Sequence, residues 1–337
     1  MVFANDAPAA ATRARAALSD ISNSKRSNAN IAGGKGGLKA EPKAYAASKA
    51  HSGLGQLFED SAPKAPLDKV DASDQSNAQA VTGYVADIHR HYREAEGINL
   101  ASANFLTKQT DINEKMRAIL IDWLVEVHLK FKLMPETLYL AVNLIDRFLE
   151  KETIPRNKLQ LVGVTAMFVA SKYEEIYAPE CRDFVYISDK AYTREQILQM
   201  EGLMLSKLNF QLTTPNALVF LKRFAKVAGV LATPRTKTEL LSNYFVELTL
   251  QEYKMLKYLP STIAAASTYL ALKTMGQQPW TPELLQHACY TEAAILPCVR
   301  DINALHMNAA ANNLQAVRKK YAQEKHGSVS GIPPATL

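Results

Sequence analysis

The chain contains no run approaching the ~20 consecutive apolar residues that a membrane-crossing helix requires, and its first residues lack the apolar core of a secretory leader. A soluble intracellular protein with no membrane partner is therefore expected. Cysteine is scarce: Cys181, Cys289 and Cys298 are odd in number and scattered, which argues against a disulfide framework. His287, Cys289 and Cys298 would supply three metal ligands, one short of a closed zinc site, so no metal or other cofactor is expected. The patterns that carry catalysis are missing as well: there is no nucleophile elbow, no zincin helix and no kinase glycine loop. Gly33-Gly34-Lys35-Gly36-Gly37 is glycine-rich but lacks the spacing and the strand-to-helix setting of a phosphate loop. These absences predict a binding protein rather than an enzyme. The charge excess is slight, 39 Lys and Arg against 33 Asp and Glu, and it is spread along the chain. That pattern suits an ordinary solvated surface and no nucleic-acid partner.

The first 80 residues hold 20 alanines but only three of the 27 aromatic residues, Phe3, Tyr45 and Phe58. Too little apolar surface is present there to offset chain entropy, so residues 1–77 read as a disordered tail. From about Ala78 to Ala322 the pattern turns helical, with no convincing strand alternation. Met116, Ile119, Leu120, Trp123, Leu124 and Val127 follow the helical period, and Ile121 and Val125 extend the apolar surface to other faces, as expected of a helix surrounded by neighbours. Further helices are predicted over Glu136–Glu150, Arg156–Tyr173 and Thr193–Leu208, the last opened by a Thr193/Gln196 capping box.

The arrangement then repeats. Leu161–Lys172 and Thr262–Lys273 are small-residue-rich apolar segments ending in Ala-x-Lys, 101 positions apart. Tyr192-Thr193 with Ile197-Leu198 is echoed by Tyr290-Thr291 with Ile295-Leu296. Two copies of a five-helix unit of roughly 100 residues follow, with boundaries at 78–212 and 213–325 and a C-terminal tail over 326–337. The fold class is all-α. Within the first copy, Arg117 and Asp122 lie among apolar neighbours, and a buried charge needs a partner. Asp146, in Leu144-Ile-Asp-Arg-Phe-Leu149, is the candidate partner for Arg117.

Met116-Arg-Ala-Ile-Leu-Ile-Asp-Trp-Leu124, Leu144–Leu149 and Ser171-Lys-Tyr-Glu-Glu-Ile-Tyr177 resemble the cyclin box, and Leu159–Phe168 is similar to the B-type, mitotic cyclins. Arg117, Asp146, Leu161, Lys172 and Glu201 match five signature positions of that fold. The resemblance implies tandem five-helix cyclin boxes preceded by a helix, here about Ala78–Glu96. It also implies a cyclin-dependent protein kinase as partner, contacted by Lys172 and Glu201 within an apolar face of Val169, Tyr173, Leu205, Phe210 and Leu212. Met116, Ile119, Leu120, Trp123, Glu126 and Gln160, with Leu159 beside them, match a docking patch for short motifs of protein substrates. Arg15, Leu18, Ile21 and Asn23 resemble a destruction box, read by a ubiquitin ligase, and seven lysines follow between Lys25 and Lys69. The tail has no Lys-Glu-Asn motif and no Ser-Pro or Thr-Pro. Lys25-Arg26 is too short to establish an import signal, so a nuclear and cytoplasmic location rests on the resemblance. A cyclin-fold DNA-binding factor is the alternative from another class; it would need basic residues gathered on one face and gives no reason for Arg15–Asn23.

Overall fold

The computed structural model describes residues 68–337. The degron positions Arg15, Leu18, Ile21 and Asn23, and the tail up to residue 67, lie outside the described residues.

Each repeat contributes five helices. The first has α3 (Glu114–Phe131), α4 (Pro135–Lys151), α5 (Leu159–Glu174), α6 (Cys181–Ile187) and α7 (Arg194–Lys207); these follow α1 (Asp68–Asp71) and α2 (Val85–Ala95). The second has α8 (Ala217–Val227), α9 (Lys237–Gln251), α10 (Pro260–Thr274), α11 (Pro282–Ala288) and α12 (Glu292–Asn308), followed by α13 (Ala316–Ala322). Among the described residues there is no strand.

Local chemistry sets the helix limits. Asn113 accepts a hydrogen bond from the Met116 amide at 3.0 Å and starts α3, and Lys132 in the left-handed region stops it. Proline occupies the first turn of α4, α10 and α11, where its missing N–H costs nothing. Thr193 caps α7 through a capping box with Gln196, and Thr291 caps α12. The repeated Tyr-Thr pair thus opens the fifth helix of both copies. The repeated small-residue segments are α5 and α10, the third helix of each copy. Small residues let α5 approach α3 closely: a Cβ on Gly163 would lie 2.6 Å from Leu120 Cδ1. Apolar side chains from both repeats form one continuous core.

Three boundaries differ from the sequence expectation. The leading helix covers Val85–Ala95 rather than Ala78–Glu96, because Val81 adopts the left-handed region (φ 42°) and residues 78–84 form two 3-10 turns instead. Residues 68–77, assigned to the tail by composition, contain α1 and the turn Ala72–Asp74, held by a buried Asp71. Residues 326–337 are packed rather than free: Val329 is buried, Ile332 lies against the core, and Asn303 Nδ2 donates to the Ala335 carbonyl at 3.0 Å.

Helix α2 also docks differently than the 78–212 grouping implies. Its polar ties run to the second repeat. Arg93 donates to the carbonyls of His287 (3.0 Å) and Ala288 (2.6 Å) at the end of α11, while Glu96 accepts from the Ser261 amide (2.8 Å) and hydroxyl (2.7 Å) at the start of α10. A cation at a helix C-terminus and an anion at an N-terminus both complement the helix dipole.

His89 on α2 and His287 on α11 sit in this seam. Burial first, and then the charge of Arg223, lowers both imidazoles from 6.5 to about 4. In the unfolded chain they protonate near 6.5, so the folded state loses stability as pH falls from 6.5 toward 4. Urea unfolding should show a midpoint that drops between pH 7 and pH 4.5, and the drop should flatten in a His89→Gln, His287→Gln variant. A slope that the double substitution leaves unchanged would contradict this assignment.

Candidate partner-binding site

Helix α5 ends on a face built by itself, α7 and the turn after α7. Lys172 lies in the last turn of α5, where a cation opposes the negative helix end. Its Nζ forms an ion pair with Glu201 of α7 and lies 4.1 Å from the centroid of the Phe168 ring. Lys172 is partly exposed and Glu201 less so. Such a pair adds little to stability; its effect here is to hold two charges at fixed points in an apolar surface.

The apolar surroundings are unusually open. Phe210 is 71% exposed, Tyr173 47%, Ile176 91% and Tyr177 92%. Leu205 and Leu212 are half-buried, and Val169 is buried beneath them as support. Asn209 and Phe210 both have positive φ, 52° and 57°. Asparagine tolerates that region; a phenylalanine there is strained. Yet the turn keeps Phe210 facing solvent, closed by a 2.9 Å hydrogen bond from its amide to the Leu205 carbonyl. The Tyr173 hydroxyl is hydrogen-bonded to that of Thr213, which ties the face to the linker between repeats.

The second repeat carries no equivalent pair. Lys273 corresponds to Lys172, but the 98-residue spacing of the fifth helices places Val299 opposite Glu201, and Val299 is fully buried. One such face exists per chain among the described residues.

Arg117 and Asp146 are brought together as expected. Arg117 is 1% exposed, and its Nε and Nη2 donate to the two Asp146 carboxylate oxygens at 2.6 Å each. Its Nη1 donates to the Leu250 carbonyl at 3.1 Å, reaching α9 of the second repeat. Asp122, the second charge set among the apolar residues of α3, accepts from Gln251 Nε2 (2.6 Å) and from the Ala316 amide (2.9 Å), so it serves the first turn of α13.

The docking patch is only partly a surface. Leu120 and Leu159 lie in the core, Leu120 against Gly163, because α5 covers that side of α3. They are therefore removed from the set of contact residues. Met116 and Trp123 are nearly buried and form a floor, while Ile119, Glu126 and Gln160 are half-exposed above it. Burial and then the charge of Asp122 push the Glu126 carboxyl up from its ordinary value.

Sequence reasoning missed Ile176 and Tyr177 as exposed apolar residues. Their signal is position: they follow the end of α5, where no helical face remains to bury them, and precede Pro179. Glu175, just before them, accepts from the Met134 amide at 2.7 Å and from the Thr137 hydroxyl, capping α4 from a distance.

Comparison with known proteins agrees with this architecture. Residues 87–213 match the family described as "Cyclin, N-terminal domain" and residues 215–335 match "Cyclin, C-terminal domain". The chain is 47% identical over 267 residues to "Cyclin-B2-1" of Oryza sativa subsp. japonica, covering 79% of this chain and 63% of that protein. It is 44% identical to "G2/mitotic-specific cyclin-2" of Medicago sativa, covering 79% of this chain and 80% of that one. The chain spans about 63% of the length of the first curated relatives it matches. A viral cyclin from Herpesvirus saimiri shares the fold, with a TM-score of 0.59 at 18% identity over 65% of this chain and 96% of the viral one. With both repeats accounted for and relatives of this identity, the chain belongs to the cyclin family, in its B-type, mitotic group.

Proposed function

We propose that this chain is a non-catalytic regulatory subunit that binds and activates a cyclin-dependent protein kinase at the G2/M transition. The observation that carries the reading is the open apolar face around the Lys172–Glu201 pair. Exposed rings of Phe210, Tyr173 and Tyr177 supply apolar contact area without side-chain rearrangement, and the ion pair sets register within it. A face of this kind can grip a mobile kinase helix and hold it where its glutamate completes the kinase's Lys–Glu pair. The strained turn at Phe210 fits this role, since backbone strain persists where a presented side chain is needed.

Two further parts belong to the proposal. The strip of Ile119, Glu126 and Gln160 over Met116 and Trp123 recruits short basic-apolar substrate segments, Glu126 taking the basic residue. A second weak contact of this kind raises effective substrate concentration. Arg15, Leu18, Ile21 and Asn23 act as the degron through which a ubiquitin ligase removes the protein at mitotic exit. The protein works in nucleus and cytoplasm.

The purified chain, mixed with an inactive mitotic cyclin-dependent kinase, should stimulate histone phosphorylation. Lys172→Ala, Glu201→Ala and Phe210→Gly should each lower kinase affinity by about tenfold, on the order of 1.4 kcal/mol. Their thermal stability should stay near that of the parent, because the ion pair is partly exposed and glycine accepts positive φ. Absence of stimulation by the folded parent chain overturns the kinase reading. For the tail, Arg15→Ala with Leu18→Ala should lengthen the half-life at mitotic exit; an unchanged half-life removes the degron.

A further inference from the structure

The second repeat carries a basic site that the kinase-facing surface does not use. Arg223, inside α8, is almost fully buried and gives both terminal nitrogens to Asp71, at 2.7 and 2.8 Å. Lys226, one turn later, bridges Asp71 at 2.5 Å and Asp74 at 2.6 Å. Among the described residues, the carboxylates bonded to these two cations are Asp71 and Asp74, and both belong to the strap that precedes α2. His287 Nδ1 stands 3.5 Å from Arg223, in contact with the site but uncharged near neutral pH.

The strap is held by charge rather than by apolar packing. From residue 70 to residue 80 the one buried residue is Asp71; Ala72, Ser73 and residues 75–79 are exposed. Burial pushes the Asp71 carboxyl up, but hydrogen bonds and charge from Arg223 and Lys226 outweigh it and hold it at about 2. With so little buried apolar area, the segment has these ion pairs as its principal anchor. The receptor behaves differently. An unpaired guanidinium at the depth of Arg223 is strongly unfavourable, so an anion of the same geometry has to replace the strap when it leaves.

We infer that Arg223 and Lys226 form a receptor for an acidic peptide segment, one presenting two anionic side chains three residues apart in a helical turn, and that residues 71–74 occupy it in cis. The first anion takes the guanidinium fork in bidentate fashion and the second takes the lysine. A partner segment of this chemistry and the strap exclude each other. This inference is independent of the kinase reading, because the site lies on α8 and the kinase-facing surface on α5 and α7.

The test uses the full chain and a fluorescein-labelled peptide of residues 66–78. An Asp71→Asn, Asp74→Asn variant, shown to be folded by its circular dichroism and melting curve, should bind the peptide at least tenfold more tightly than the parent chain. The difference arises because a tethered strap competes at an effective concentration on the order of millimolar. Binding should weaken as salt rises and should fall again when Lys226→Gln is added to the variant. No binding by the folded variant, undiminished binding after Lys226→Gln, or equal binding of a peptide whose two aspartates are asparagine would each overturn the proposal. Should the variant fail to fold, the parent chain supplies the measurement. Millimolar peptide should accelerate amide hydrogen exchange over residues 72–80, and unchanged exchange rejects the receptor.

Discussion

A single buried ion pair orders the rest of the molecule. Arg117 would be intolerable in the core alone, since removing a charge from water costs several kcal/mol. Asp146 takes two of its donors and the Leu250 carbonyl a third. These three bonds fix α3 against α4 and both against α9, so the first repeat is referenced to the second through one guanidinium. The duplication shows how strongly the fold relies on a carboxylate here. Glu247 lies 101 positions after Asp146, at the same point of the repeat, and it too is buried. Its cation comes from elsewhere: Lys320 of α13 donates to both oxygens at 2.7 Å, and the Tyr321 hydroxyl donates at 3.0 Å. The buried carboxylate of the second repeat is thus paired by a helix beyond its own five, whereas that of the first is paired from within. Asp122 of α3, accepting from the Ala316 amide at the start of α13, then links that extra helix back to the first repeat.

The open apolar face follows from this frame. With α3 and α4 fixed, α5 is enclosed along most of its length, and apart from Gln160 in its first turn it reaches solvent at its final turn. Lys172, Tyr173, Ile176 and Tyr177 emerge there because the helix has run out of neighbours. Glu175 turns back to cap α4, which anchors the point of emergence. The fifth helix of the first repeat brings Glu201 alongside. In the second repeat the matching position is Val299, packed inward, and the duplicated surface is thereby closed.

Much of this was legible in the sequence. The five-helix repeat, the Thr193 and Thr291 starts and the Arg117–Asp146 pair all follow from periodicity, capping chemistry and the need to pair a buried charge. The failures have physical causes. Helices α3 and α5 are apolar on nearly every side, so their period does not reveal which side faces water, and Leu120 and Leu159 match surface positions although both lie in the core. Residues 68–77 are polar in composition, and one aspartate in an ion pair with a distant arginine leaves no local trace. The closing segment is anchored by Val329 and Ile332, too few apolar residues to form a periodic signal. Side-chain exposure at Ile176 and Tyr177 depends on where α5 outlasts its neighbours, which only the three-dimensional arrangement defines.

The central claim is that the Arg117–Asp146 pair supports the frame on which the contact face is displayed. A double-mutant cycle tests it most directly, with urea unfolding and kinase affinity read on the same proteins. Arg117→Met alone should lose roughly 3–5 kcal/mol by stranding Asp146, and kinase affinity should fall with it. The Arg117→Met, Asp146→Leu protein should recover most of both, because two apolar side chains can fill the space without a stranded charge. A single variant that keeps parental stability and affinity, or a double variant as damaged as the single, would contradict the account.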